Sequence, residues 1–119
     1  MRLGTGLLTC AALLAAATVG EQAHAVGTGF ADFYAIVAAN GTTTRGSGVT
    51  TSTRTSIGTY TVTFAREVSD CVQVATLRGQ LTGQIAVTPR GTLIVGVTTF
   101  SAAGAKQDRP FNLFVECNN

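Results

Sequence analysis

The sequence predicts a small all-β domain, an antiparallel, jelly-roll-like β-sandwich of about eight short strands. After residue 25 the chain divides into short runs rich in β-branched and aromatic residues, spaced at the ~8 to 12 residues typical of such folds. None of these runs repeats its apolar residues at the helical period. In the clearest run, Tyr60, Val62 and Phe64 alternate with Thr61 and Thr63. That alternation predicts a half-buried strand with an apolar inner face and a hydroxyl-bearing outer face.

The first 25 residues predict a secretory signal peptide. Arg2 precedes the apolar run 7–19, and Ala23-His24-Ala25 has the small-x-small pattern of a cleavage site. We expect residues 1–25 to form a helix that is removed, and residues 26–119 to form one all-β domain. No later run approaches the ~18 to 20 apolar residues of a membrane span. The mature protein is therefore expected to be secreted, either extracellular or periplasmic, with no membrane span.

The first predicted hairpin occupies residues 30–45. The apolar segment 30–39 ends at Asn40-Gly41, the dipeptide most typical of a tight hairpin turn. Residues 42–45 are expected to pair back as a short strand, and Gly46-Ser47-Gly48 to interrupt it.

The second hairpin is the centre of the prediction. Residues 49–54 and 60–64 are β-prone, and Thr55-Ser56-Ile57-Gly58 has the length and composition of a turn whose glycine takes positive φ. The charged run 65–70 should form a loop, after which residues 71–77 alternate again as a strand.

Three further strands complete the predicted sandwich. Residues 84–88 form a short strand that ends at Pro89-Arg90-Gly91, where proline presets the turn. Residues 92–100 are the most apolar run, which predicts a central strand covered on both faces. A loop over 101–109 should lead to a last strand over 110–117.

Charge and histidine content narrow the function classes. Residues 26–119 carry seven basic and five acidic side chains, and the arginines are scattered rather than clustered. That distribution argues against a nucleic-acid partner. The same stretch contains no histidine, so a histidine base or ligand is excluded there, and no cofactor or metal is expected.

The two remaining cysteines, Cys71 and Cys117, predict a disulfide, because an even count in a small exported domain favours one. The chain-entropy model gives an upper value of about 4 kcal/mol for closing a loop of this length. A redox pair or catalytic thiol is the alternative, but the C-x-x-C spacing is missing.

Carboxylates and threonines suggest three further alternatives. Glu67 and Asp70 form the one close acidic pair after the signal region, which would suit a small carboxylate-dependent hydrolase or, together with Ser69, a calcium site. Thr51-x-Thr53 and Thr61-x-Thr63 repeat a spacing found in ordered-water surfaces of ice-binding proteins. Threonine is also simply favoured at exposed strand positions.

The stretch 33–76 resembles known proteins. NGTTTRGSGVTTSTRTSIGTYTVTF, residues 40–64, is similar to a repeat near the ends of phage tail-fibre proteins. With Cys71 and the closing FNLFVEC (residues 111–117), it also resembles small exported bacterial proteins of unknown function. The resemblance implies the hairpin fold and carries over no binding residues.

Self-association is the last expectation. Tyr34, Ile36 and Phe114 alternate with residues assigned to the core, so they should lie on an outward face, and we expect a homotrimer in line with the tail-fibre resemblance. The alternative is a monomer that buries both faces and is stabilised by its disulfide. The predicted function is a secreted binding or structural module without catalytic machinery, whose partners are surface proteins, glycans or itself.

Overall fold

The computed structural model describes residues 31–118, which contain eight β-strands and no helix. The strands are β1 (Ala31–Val37), β2 (Thr43–Ser47), β3 (Val49–Ser56), β4 (Thr59–Phe64), β5 (Val72–Leu77), β6 (Gly83–Pro89), β7 (Ile94–Ser101) and β8 (Phe111–Cys117). The signal peptide predicted over residues 1–25 lies outside the described residues.

The strands form two antiparallel four-stranded sheets. Sheet one has the order β2-β1-β8-β5, and sheet two has the order β3-β4-β7-β6. The two sheets pack against each other, so the predicted β-sandwich is confirmed.

Period-two alternation places the core between the sheets. On β4, Tyr60, Val62 and Phe64 are buried while the threonines between them are partly exposed. Across the sandwich, Tyr60 meets Phe111 of β8 edge to face, with the ring centroids 5.0 Å apart. Such aromatic pairs contribute beyond the area they bury. The remaining buried apolar residues are Ala35, Val37, Val68, Val95, Val97, Leu113, Val115 and Cys117.

The ends of β2 and β3 lie further along the chain than predicted. β2 continues through Gly46 and Ser47, so the chain leaves sheet one at Gly48 alone, whose φ is +78°. Any side chain there would collide with the ring of Phe33, which explains why glycine occupies this corner. In the central hairpin β3 extends to Ser56, and the turn shrinks to Ile57 and Gly58, with Gly58 at φ +64°.

The apolar run 92–100 forms the central strand β7, but its start was predicted wrongly. β7 begins at Ile94, and Leu93 lies before it, 41% exposed. Val95 and Val97 are buried against the core, as a central strand requires. On the opposite face of β7 the Arg90 side chain lies against Gly96, and Ile94, Thr98 and Phe100 are half-buried.

Candidate functional site

Three apolar side chains lie side by side on the outer face of sheet one, the face that points away from sheet two. Tyr34 of β1 pairs with Phe114 of β8, and Phe114 pairs in turn with Val74 of β5. Their exposed fractions are 37%, 41% and 49%. Neighbouring side chains on one face of a sheet are close enough to contact one another. We call these three residues the apolar row.

The predicted self-association residues come together on this face. Ala35 and Val37 point into the core, so Tyr34 and Ile36, which alternate with them on β1, point outward. Phe114 lies directly opposite Tyr34, and Ile36 is the next outward residue after Tyr34 on β1. The face therefore carries a contiguous apolar surface, of the kind that marks an interaction site.

The sequence did not reveal that β5 contributes to this surface. Val72 and Val74 are 60% and 49% exposed, whereas Gln73 lies on the inner side and donates from Nε2 to the carbonyl oxygen of Val68 at 2.9 Å. The alternation Val-Gln-Val correctly predicts a strand, but it does not say which residue faces inward. The pairing of Gln73 with the buried Val115 decides the orientation.

One end of the outer face is acidic. Asp32 of β1 lies directly opposite Glu116 of β8. On each strand it is the next outward residue after the one in the apolar row, two positions away from Tyr34 and Phe114 respectively. Neither carboxylate makes an ion pair with any other residue of the described chain. Like charges directly opposite on neighbouring strands are destabilising. We call these two residues the acidic end.

The other end of the same face is basic. Arg45 of β2 lies opposite Ile36, and Arg78, just after β5, donates from Nη1 to Oδ1 of Asn112 at 2.8 Å. Asn112 pairs with Ile36, so both arginines lie beside the Ile36–Asn112 pair. Within residues 31–118 neither of them forms an ion pair. We call Arg45 and Arg78 the basic end.

The cysteine pair lies beside the acidic end. Cys71 and Cys117 are at disulfide distance, with their Cα atoms 4.6 Å apart. The predicted pairing is therefore confirmed, and it joins the residue before β5 to the end of β8.

The charged loop between β4 and β5 carries Glu67 and Asp70, which are both exposed. Ser69 donates from Oγ to Oε2 of Glu67 at 3.3 Å. No cluster of three or more metal-ligating acidic, histidine or cysteine side chains occurs among the residues that the structure describes. Both carboxylates thus lie in an exposed loop, whereas glycoside hydrolysis uses two acids that flank the substrate.

An open pocket of about 290 Å³ lies near the junction of β2 and β3. Its lining is made of hydroxyl-bearing residues and one valine: Thr42, Thr43, Val49, Thr50, Thr51 and Ser52. Neither Glu67 nor Asp70 lines it. The Ser52 hydroxyl is already used within the fold, since it donates to the carbonyl oxygen of Gly41 at 2.6 Å.

The outer face of sheet two carries the two threonine repeats. Thr51 lies opposite Thr63, and Thr53 lies opposite Thr61, so the four side chains form a small grid. Beside Thr61 the grid ends at Gly96, where Arg90 covers the strand. An ordered-water surface stays a prediction.

A polar cluster closes the sandwich near the turn between β3 and β4. Nε of Arg54 donates to Oδ2 of Asp108 at 2.8 Å, and the Gly58 amide donates to Oδ1 at 2.7 Å. These two hydrogen bonds lower the pKa of Asp108, because both favour the charged carboxylate. The Tyr60 hydroxyl accepts from the Arg109 amide at 3.2 Å, and burial raises the pKa of Tyr60. Because Asp108 accepts from both Arg54 of β3 and the amide of Gly58, this cluster ties the loop before β8 to the turn between β3 and β4.

No helix among the described residues is long and apolar enough to cross a membrane. The chain matches no protein-family model, no curated protein and no solved structure.

Proposed function

We propose that this chain is a secreted binding or structural module that acts through the outer face of sheet one. The observation that carries the proposal is the apolar row, in which a tyrosine, a phenylalanine and a valine stand exposed side by side on a regular sheet. Isolated exposed apolar residues are ordinary, but a contiguous set of them indicates a contact surface.

The composition of the face supports the proposal. Tyrosine and other aromatic residues are the commonest anchors of protein interfaces, because they bury a large area with few rotatable bonds. Here the aromatic residues lie on β1 and β8, the two central strands of sheet one. Strands bonded on both sides are held rigidly, which lowers the ordering cost of binding.

Export is the second part of the proposal and rests on the pattern of residues 1–25. Intact mass spectrometry of the protein collected outside the cytoplasm should give a chain that begins at Val26. A mass that includes residues 1–25 would contradict the predicted cleavage.

The partners proposed for this face are a surface protein, a glycan or further copies of the chain, including the trimer suggested by the tail-fibre resemblance. We expect Phe114→Ser to weaken binding about tenfold or more on an array of immobilised glycans and of immobilised copies of the protein, because truncating a central anchor has that effect. The matched control is Ile57→Ser, which removes an apolar side chain 57% exposed in the turn before β4. If Phe114→Ser still binds and Ile57→Ser does not, the contact surface lies elsewhere on the protein.

A small carboxylate-dependent hydrolase using Glu67 or Asp70 is the alternative function. Such an enzyme needs an acid facing its substrate in a cleft. Glu67 and Asp70 are exposed in a loop, and the open pocket beside β2 and β3 has no acidic lining. The described geometry therefore supports the binding module better.

A further inference from the structure

We propose that the outer face of sheet one binds the same face of a second copy of this chain, across a two-fold axis that lies in the interface and runs perpendicular to the strands. The inference rests on the contact surface proposed above and specifies its partner. The arrangement of charge along the face selects a second copy as that partner.

The face has three zones in order along the strands. The acidic end holds Asp32 and Glu116, the apolar row follows, and the basic end holds Arg45 and Arg78. Successive outward residues on a strand are about 6.6–6.8 Å apart, so the charged ends lie roughly 13 Å from each other on either side of the apolar row. The face is thus complementary to itself once it is reversed.

A two-fold axis perpendicular to the strands makes this reversal. It packs the apolar row on its own copy and brings the acidic end of each chain over the basic end of the other. Asp32 then faces the strand position of Ile36, beside which Arg45 lies, and Glu116 faces Asn112, to which Arg78 is hydrogen bonded. Each carboxylate gains an arginine as its neighbour.

A two-fold axis in the interface but parallel to the strands gives an arrangement that is unfavourable electrostatically. It would pack the acidic end on the acidic end and the basic end on the basic end. Like-charge contacts across an interface are strongly unfavourable. Charge therefore selects one of the two face-to-face arrangements.

The same complementarity favours a dimer over the trimer. A three-fold assembly needs two different patches on each chain, whereas a two-fold assembly uses one patch that matches itself. The outer face of sheet one is such a patch.

Pairing also accounts for the cross-strand position of Asp32 and Glu116. Two carboxylates directly opposite each other repel in the isolated chain. In the proposed dimer two arginines of the second copy offset that repulsion, and each arginine gains a carboxylate, with which it forms no ion pair inside the described chain.

Two charge-reversed variants test this arrangement. The first carries Asp32→Lys and Glu116→Lys, so both ends of its face are basic. The second carries Arg45→Glu and Arg78→Glu, so both ends are acidic. Light scattering at ~10–100 μM should give the mass of two chains for the unchanged protein and of one chain for each variant alone, with dimerisation weakened about 100-fold or more.

Mixing the two variants is the decisive measurement. The all-basic face of one matches the all-acidic face of the other, so an equimolar mixture should recover the mass of two chains and lose it again at high salt. A melting curve for each variant shows that the fold is intact. Phe114→Ser, which leaves the charges unchanged, should also shift the protein toward one chain.

Several outcomes would overturn the inference. These are a single-chain mass for the unchanged protein throughout the concentration range, a three-chain mass, or charge-reversed variants that dimerise alone as well as the unchanged protein does. If the protein is monomeric but still binds a glycan or another protein in a Phe114-dependent way, the dimer is wrong and the proposed binding function stands.

Discussion

Removing the disulfide should lower the free energy of unfolding by up to about 4 kcal/mol. The change to make is Cys71→Ala together with Cys117→Ala. The bridge closes a loop spanning 46 residues, and in the chain-entropy model it acts by restricting the unfolded chain. For a domain of this size, that upper value corresponds to a fall in the melting temperature of up to about 16–32 °C.

The position of the bridge adds a structural reason for a large effect. β5 is an edge strand bonded only to β8, and Val72 and Val74 point to solvent rather than to the core. Few apolar contacts therefore hold the beginning of β5 in place, and the bridge to Cys117 supplies a covalent one. Without it we expect β5 to exchange its amide hydrogens fastest among the strands of sheet one.

Thermal melting with and without a reductant measures the effect. The double alanine variant is the control, because its melting temperature should be low and insensitive to reductant. Equal melting temperatures for the oxidised and reduced protein would show that the bridge does not stabilise the fold.

The local features of the fold were predictable because they depend on neighbouring residues. The alternation from Tyr60 to Phe64 determines a strand and its inner face, and Asn40-Gly41 determines a turn, without reference to the rest of the chain. Strand ends were less certain. Gly46 and Ser47 form strand in spite of their composition, because pairing with β1 continues through them.

The candidate site was predictable only in part, since it depends on pairing between distant segments. The outward direction of Tyr34 and Phe114 follows from period-two alternation, but their adjacency depends on β1 pairing with β8, about 80 residues later in the chain. The opposition of Asp32 to Glu116 has the same origin. No local pattern marks two carboxylates as neighbours when they lie at opposite ends of a domain.

Arg109 ends the loop predicted over residues 101–109, and a charged side chain in a loop is ordinarily exposed to solvent. It is instead 3% exposed. Its Nη1 donates to the carbonyl oxygens of Thr82 at 3.0 Å and Phe100 at 3.3 Å, and its Nη2 donates to that of Leu81 at 2.7 Å. The guanidinium thus ties the connection after β5 to the end of β7.

The absence of a side chain at Gly83 makes this arrangement possible. A Cβ atom there would collide with Nη1 of Arg109 and with the carbonyl oxygen of Phe100. No carboxylate of the described chain forms an ion pair with Arg109, so its charge is compensated by backbone carbonyl groups alone. Arginine suits this role because its planar group presents several donors in fixed directions.

We expect Arg109→Ala to lower the free energy of unfolding by about 3 kcal/mol. Three carbonyl groups lose their donor, and a buried group left without a partner costs about 1–3 kcal/mol, with water compensating where it can enter. Arg109→Lys should give a smaller loss, because an ammonium group keeps the charge but cannot reach all three carbonyl groups in the same geometry.

Urea unfolding measures both variants, and an unchanged slope with a lower midpoint would show that stability alone has changed. Lys106→Ala is the matched control, since it removes a positive charge from an exposed side chain in the same loop and should stay within about 0.5 kcal/mol of the unchanged protein. If Arg109→Ala is as stable as that control, the three hydrogen bonds contribute nothing net. If lysine restores full stability, charge rather than the geometry of the guanidinium holds the connection to β7.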